Sequence, residues 1–349
     1  LPDAPAGPKG LSLFLVPKVL QDGTRNAVVC ERIEEKMGLH GSPTCVMRFD
    51  DATGWLVGEP NKGLNAMFVM MNAARLHVGL QGIGLLEAAW QKASAYAAER
   101  RQMRAPGAKD TSLIQDHPAI RRILHTQRAW IDGGRVLAYH TALQLDVAKH
   151  STDAGERAAA QRWCALVTPV LKAALTEQGF HGASACLQVF GGHGYVREWG
   201  IEQIVRDARV AMIYEGTNEI QAIDLLLRKT LPDGGAALLT LLGELSADLG
   251  GDEQALRTKA QIDGFATFLR ERLLPRATAK DAPADLPHWL ADDFLRAVAM
   301  LLMAWAWARI GTAPGGDSAR WQTAQAGFWR WVWPEFGMRL AMMETTLAG

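Results

Sequence analysis

The stretch "RVAMIYEGTNEIQ" (residues 209–221) holds one acid at a junction: an apolar run ends at Tyr214, Glu215 and Gly216 follow, and a helix begins at once. A lone loop glutamate is usually a solvated acid. One fixed by a glycine just outside a helix start can instead serve as a base facing a cleft. Thr217 is placed to cap that helix, and Glu219 falls in its first turn, at the positive end of the dipole. Ile220, Ile223, Leu226 and Leu227 form its expected buried stripe. A second candidate is "QVFGGHGYVREWG". Gly191, Gly192 and Gly194 permit close backbone approach to a ligand, or simply a tight interhelical turn. The spacing is neither a Walker loop nor GxGxxG. "GLQGIG" (79–84) lies inside a helical pattern with no strand before it, and reads as close helix–helix packing. The nine histidines show no convincing metal set, and there is no GxSxG nucleophile.

These residues need elements to position them. Residues 1–62 read as β structure, with short apolar runs in "LSLFLVPK", "TCVMRFDDA" and "WLVGEPNKG". Three such strands make no stable sheet alone. From Leu64 the apolar period becomes helical and continues to about Arg101. A helix follows from "QDHPAIRRILH", with Asp116 as its expected cap and Pro118 in its first turn. The next opens at "STDAGERAAAQRW", with a kink or break expected at Pro169. Residues 64–230 thus read as an up-and-down bundle. The remainder is helical, with Trp-rich segments "AWAWARI" and "FWRWVWPEF" that read as helix packing or a subunit interface rather than a ligand cage.

Composition narrows the class. The 349 residues are 48% hydrophobic and 21% charged, with a formal net charge of zero. Lys and Arg are spread along the chain, which argues against a polyanionic partner. Cys30, Cys45, Cys164 and Cys186 form no CxxC pair and read as buried thiols in a reducing compartment. No apolar run reaches the roughly 18 residues of a membrane helix. No signal peptide is legible in "LPDAPAGPKG".

The string "QVFGGHGYVREWGIEQIVRDARVAMIYEGTNEIQ" resembles the signature of acyl-CoA dehydrogenases: a Q-x-x-GGxGY loop, an RDARV segment, then IYEGT-x-x-IQ. "GLSLFLVPK" and "EEKMGLHGSPTCVMRFDDATGWLVGE" resemble the second half of that family's middle β-domain. "MMNAARLHVGLQGIGLLEAAWQKASAYAAERRQM" resembles its first C-terminal helix. The resemblance covers about residues 7–230. Residues 231–349 resemble the extra helical domain of the larger branch, which includes the 3-methylmercaptopropionyl-CoA dehydrogenase-like enzymes.

The resemblance implies a mainly α fold. A partial β-domain (1–63) precedes a C-terminal-type helical bundle (64–232) and an additional helical domain (233–349), with the family's N-terminal helical domain absent. It implies FAD-dependent α,β-dehydrogenation of an acyl-CoA thioester to trans-2-enoyl-CoA. Glu215 matches the base that removes the α-proton, and electrons pass to electron-transferring flavoprotein. A thioester α-proton is weakly acidic, so the carboxylate must be positioned and stripped of water by substrate. Some relatives carry the base on an earlier helix, where this chain has Ala74. Arg100, Gln102 and Met103 match a turn that contacts the FAD of a neighbouring subunit; Met103 replaces the usual Phe. Gln188, Gly191 and Gly192 match the loop approaching the adenosine half of FAD, and Thr217 and Glu219 match flavin contacts. Asn72, Arg75, Tyr96 and Gly216 match positions near the acyl-CoA. A homodimer or dimer of dimers and a cytoplasmic location are also implied. The alternatives are an acyl-CoA oxidase and a catalytically silent assembly module that keeps the fold to dimerise. If the missing parts are needed for the flavin pocket, this chain alone binds FAD poorly.

Overall fold

A computed structural model describes residues 1–349, apart from the side chains of Phe68, Val69 and Asn72. The chain forms two compact units, Leu1–Ala74 and Arg75–Gly349. The expected substrate contact Asn72 lies outside the described residues.

The first unit has four strands rather than three. β1 (Leu13–Leu15) pairs antiparallel with β4 (Trp55–Val57), and β2 (Val28–Ile33) with β3 (Cys45–Phe49). β2 was not expected because its apolar start runs straight into Glu31 and Arg32, and only Val28 is buried. A bulge between Cys30 and Arg32 shifts its register. Buried Asn26 ties the unit together. Its Nδ2 donates to the carbonyls of Pro17 and Thr53 at 2.8 Å each, and its Oδ1 accepts from the Thr53 N–H at 2.9 Å. The expectation of buried thiols is corrected here. Cys30 and Cys45 are exposed, because both ride on strand faces that carry no covering layer. Cys164 is half-buried and Cys186 buried, and burial pushes their thiols up to about 11 and about 12.

The helices are α1 (Gly63–Glu99), α2 (Pro118–His150), α3 (Ala154–Val189), α4 (Ile201–Arg209), α5 (Asn218–Ile223), α6 (Ala236–Ala247), α7 (Glu253–Phe268), α8 (Leu274–Ala277), α9 (Leu286–Thr312), α10 (Ala319–Gly327) and α11 (Pro334–Ala348). α5 continues as a π-helical segment, Asp224–Thr230. In the second unit one core cluster runs from Leu76 to Leu347, so the helices after residue 232 pack onto the bundle. The glycines of "GLQGIG" are where α1 and α3 nearly touch: a Cβ on Gly82 would stand 2.5 Å from the Leu175 carbonyl oxygen, and one on Gly179 would stand 2.8 Å from that of Gly82.

α3 is unbroken through Pro169, so of the expected kink or break the break does not occur. Proline lacks the N–H that would reach the carbonyl four residues back. Here the ammonium of Lys229 donates to that carbonyl, on Ala165, at 2.6 Å. Asp116 does not cap α2 either. It belongs to a preceding 3₁₀ turn, Ile114–Asp116, and His117 takes the cap position without a side-chain bond, because Pro118 already presets the first helical turn. In α5 the buried stripe also differs. Ile220 is exposed, and Asn218, Gln221, Ala222, Leu225 and Leu226 are buried, because Asn218 and Gln221 turn inward to bond the Ala173, Glu215 and Gly216 carbonyls.

α9 is the core helix. By composition it is long and apolar enough to cross a membrane, with a mean hydropathy of 1.4, although charged residues interrupt its apolar run; 89% of that window is buried inside this protein. Trp307 and Phe328 are fully buried and stack at 6.1 Å, so these parts of the Trp-rich segments are helix packing. Arg339 bridges Asp293 at 2.8 Å and Arg296 bridges Glu335 at 2.8 Å, joining α11 to α9.

Candidate active site

Glu215 lies in the turn between α4 and α5. Its φ is +55° and that of Gly216 is +83°, two consecutive left-handed residues. Such a conformation costs a non-glycine residue about 1–2 kcal/mol and survives only where its surroundings enforce it. The enforcement is visible. Gln221, fully buried, donates from Nε2 to the carbonyls of Glu215 and Gly216 at 3.1 and 3.2 Å. Lys172 of α3, also fully buried, donates from Nζ to the Gly216 carbonyl at 2.7 Å and to Asn218 Oδ1 at 3.1 Å. Asn218 in turn donates to the Ala173 carbonyl at 3.2 Å and accepts from the Thr176 hydroxyl at 3.1 Å. Only glycine suits position 216: a Cβ there would meet Gln221 Nε2 at 2.7 Å. Upstream, the Tyr214 hydroxyl donates to Gln81 of α1.

Thr217 caps α5 as expected, its hydroxyl oxygen accepting from the Ile220 N–H at 3.4 Å. Glu219 stands in the first turn, and the Thr217 hydroxyl is the main cause holding its carboxyl below the usual range. Burial pulls the Lys172 ammonium down to about 8, against the opposing charge of Glu219, with Arg75 and Glu215 also acting on it. Glu215, Glu219, Lys172 and Arg75 therefore share one electrostatic neighbourhood. Arg75 is committed there to an ion pair with Asp224 at 3.4 Å, and Lys229 joins the same carboxylate at 3.2 Å. Among the described residues no backbone carbonyl accepts from the N–H groups of Glu215, Gly216 or Thr217.

A cavity of about 320 Å³ collects other predicted residues. Arg100, Gln102, Met103, Gln188 and Gly191 line it, with Tyr96 and Phe190. The turn after α1 is fixed by the Gln102 N–H donating to the Ser112 carbonyl at 3.1 Å and the Ser112 N–H to the Met103 carbonyl at 2.9 Å. Met103 is left-handed, with φ +58°, and its side chain is exposed. Tyr96 stacks on Phe190 at 4.4 Å, and its hydroxyl pairs with His193 Nδ1 at 2.9 Å. Gly191 has φ +57°, and a Cβ on Gly191 or Gly192 would meet nothing within 4 Å, so the backbone here is open to a ligand. Gly194 is different: a Cβ there would stand 2.6 Å from the Leu187 carbonyl oxygen. Arg100 is in no ion pair among the described residues. A free guanidinium, two amide side chains and an open glycine backbone beside an aromatic stack fit a phosphate-bearing planar cofactor.

The structure thus brings together Glu215, Gly216, Thr217, Glu219 and Arg75 in one place, and Arg100, Gln102, Met103, Gln188, Gly191 and Tyr96 in another. Sequence reasoning missed Lys172, Thr176, Asn218 and Gln221. The one signal was a lysine inside the apolar run "LVTPVLKAAL".

Residues 61–229 match the family model described as acyl-CoA dehydrogenase, C-terminal domain. A 3-methylmercaptopropionyl-CoA dehydrogenase of Ruegeria pomeroyi is 47% identical over 241 residues, which is 67% of this chain and 41% of that protein. A broad-specificity linear acyl-CoA dehydrogenase of Mycobacterium tuberculosis is 36% identical over 333 residues, covering 86% of this chain and 53% of that protein. Among solved structures, Caenorhabditis elegans ACDH-11 in complex with C11-CoA aligns with a TM-score of 0.80 at 20% identity, over 97% of this chain and 57% of that one. An acyl-CoA dehydrogenase complexed with FAD from Bacillus anthracis aligns with a TM-score of 0.77 at 22% identity, over 97% and 59%. At such identities the two structures speak to fold. The chain spans about half the length of the curated relatives it matches.

Proposed function

Because this chain belongs to the acyl-CoA dehydrogenase family, with that family's C-terminal domain at residues 61–229, we propose that it supplies the base and part of the cofactor site for α,β-dehydrogenation of an acyl-CoA thioester. The observation that carries the reading is the enforced left-handed turn at Glu215, a residue that is itself half-buried. Glu215 takes the α-proton. The carbonyl oxygen of the thioester, which gains negative charge as that proton leaves, is received by backbone N–H groups of the same turn. A bound FAD would supply the acceptor for the β-hydride, giving a trans-2-enoyl-CoA. Arg100 and Gln102 would hold the cofactor's phosphates, while Gln188, Gly191 and Gly192 would receive its adenosine half. Thr217 and Glu219 would contact the flavin, and Gly216 the acyl group. The cavity of Arg100 includes no residue of the Glu215 turn; in the family resemblance Arg100 serves the cofactor of a neighbouring subunit, in a homodimer or dimer of dimers. Electrons then pass to electron-transferring flavoprotein. The helices of 233–349 buttress the bundle.

The test is turnover of saturated acyl-CoA thioesters, short to long, by the flavin-loaded natural protein containing this chain, with ferrocenium as acceptor. Enoyl-CoA lighter by two hydrogens supports the reading. Peroxide formed at the expense of ferrocenium reduction would mark an oxidase, and flavin loading without turnover of any thioester would mark an assembly module.

A further inference from the structure

Lys172 is costly where it stands. It is fully buried in α3, and a methionine would fill the same space without removing a charge from water. Its three donors are spent mainly on the Glu215 turn. Nζ reaches the Gly216 carbonyl at 2.7 Å and Asn218 Oδ1 at 3.1 Å, while Gln221 holds the carbonyls of both Glu215 and Gly216. The Glu215 carbonyl is thereby drawn toward Gln221 of α5, and the Gly216 carbonyl toward both Gln221 and Lys172 of α3. In trans peptides the N–H points opposite its carbonyl, so the N–H groups of Gly216 and Thr217 are turned away from Lys172 and Gln221. Asn218, which completes the clamp, is itself anchored to Ala173 and Thr176 on α3. The charged groups facing Lys172 are Glu219 from α5, Arg75 from α1 and Glu215 from the turn.

We propose that Lys172 is the positioning residue for Glu215: its ammonium holds the left-handed turn from behind, through the Gly216 carbonyl and Asn218. This rests on the reading of Glu215 as the base. A merely structural lysine would affect folding alone. A positioning lysine affects kcat, with KM little changed, in protein that is folded and flavin-loaded.

The experiment compares Lys172→Met, Lys172→Gln and Glu215→Gln in the flavin-loaded natural protein containing this chain. Lys172→Met is expected to keep its flavin and a KM close to the original, and to lose kcat by about 100-fold, the cost of a reacting group displaced by about 1 Å. Lys172→Gln, which keeps one donor for the Gly216 carbonyl, recovers part of kcat. A folded Lys172→Met with unchanged kcat overturns the proposal. Failure of both Lys172 variants to fold also overturns it, in favour of a purely structural lysine. If Glu215→Gln stays active, the reading of the base has failed. If Glu215→Gln is dead and Lys172→Met behaves as the original, only the positioning role has failed.

Discussion

The ammonium of Lys229 lies 2.6 Å from the carbonyl oxygen of Ala165, the acceptor that Pro169 leaves without its helical donor. A side chain 64 residues beyond that acceptor therefore repairs the helix that carries Lys172. It also ties that repair to the buried Asp224–Arg75 pair.

Lys229→Met should destabilise the protein by about 2 kcal/mol, because a carbonyl and part of a buried carboxylate lose their donor. In a Pro169→Ala background the cost should fall by about 1 kcal/mol, since the substituted alanine offers its own N–H to the Ala165 carbonyl. Urea unfolding of the four proteins measures the coupling. Equal costs in both backgrounds would show that Lys229 does not stand in for the proline.

Lys172 makes stability depend on alkaline pH. Burial holds its folded ammonium at about 8, against 10.5 ordinarily. Below pH 8 both states keep the proton and the folded state bears the burial cost. Between about 8 and 10.5 the unfolded chain binds the proton and the folded one has released it, so stability rises with pH, by at most about 3 kcal/mol. Unfolding of the original and of Lys172→Met, compared from pH 7 to 10, should show the original gaining on the variant above pH 8. A difference that stays flat across this window would contradict the burial assigned to Lys172.

Arg100 is free of ion pairs among the described residues and lines the cavity with Gln188 and Gly191. Arg100→Ala should weaken FAD binding by about tenfold, or about 1.4 kcal/mol. Titration of flavin-stripped protein with FAD, followed by flavin fluorescence, measures it. An unchanged Kd would remove the phosphate role.

Local features were legible in the sequence where local chemistry decides them. Thr217 caps α5 because a hydroxyl before a helix satisfies its first N–H groups. Gly82 lets α1 and α3 touch because it has no Cβ. What failed depended on distant partners. Pro169 read as a kink or break because nothing near it announces Lys229. Lys172 did not stand out because its partners, Gly216 and Asn218, lie more than 40 residues away. Ile220 read as buried because the inward face of this helix start belongs to two polar residues, Asn218 and Gln221, that an apolar stripe does not mark. Asp116 read as a cap, but Pro118 moved the helix start by one residue. The Glu215 junction was recognisable as a string, while the donors enforcing its left-handed backbone came only with the folded chain.

The most direct measurement is kcat of Glu215→Gln in the flavin-loaded natural protein containing this chain. The substitution keeps shape and removes the proton acceptor. The account predicts retained flavin, retained thioester binding and a kcat lowered at least about 1,000-fold, roughly 4 kcal/mol of lost transition-state stabilisation. A variant that turns over within tenfold of the original would show that another group takes the α-proton, and the account of this turn would be wrong.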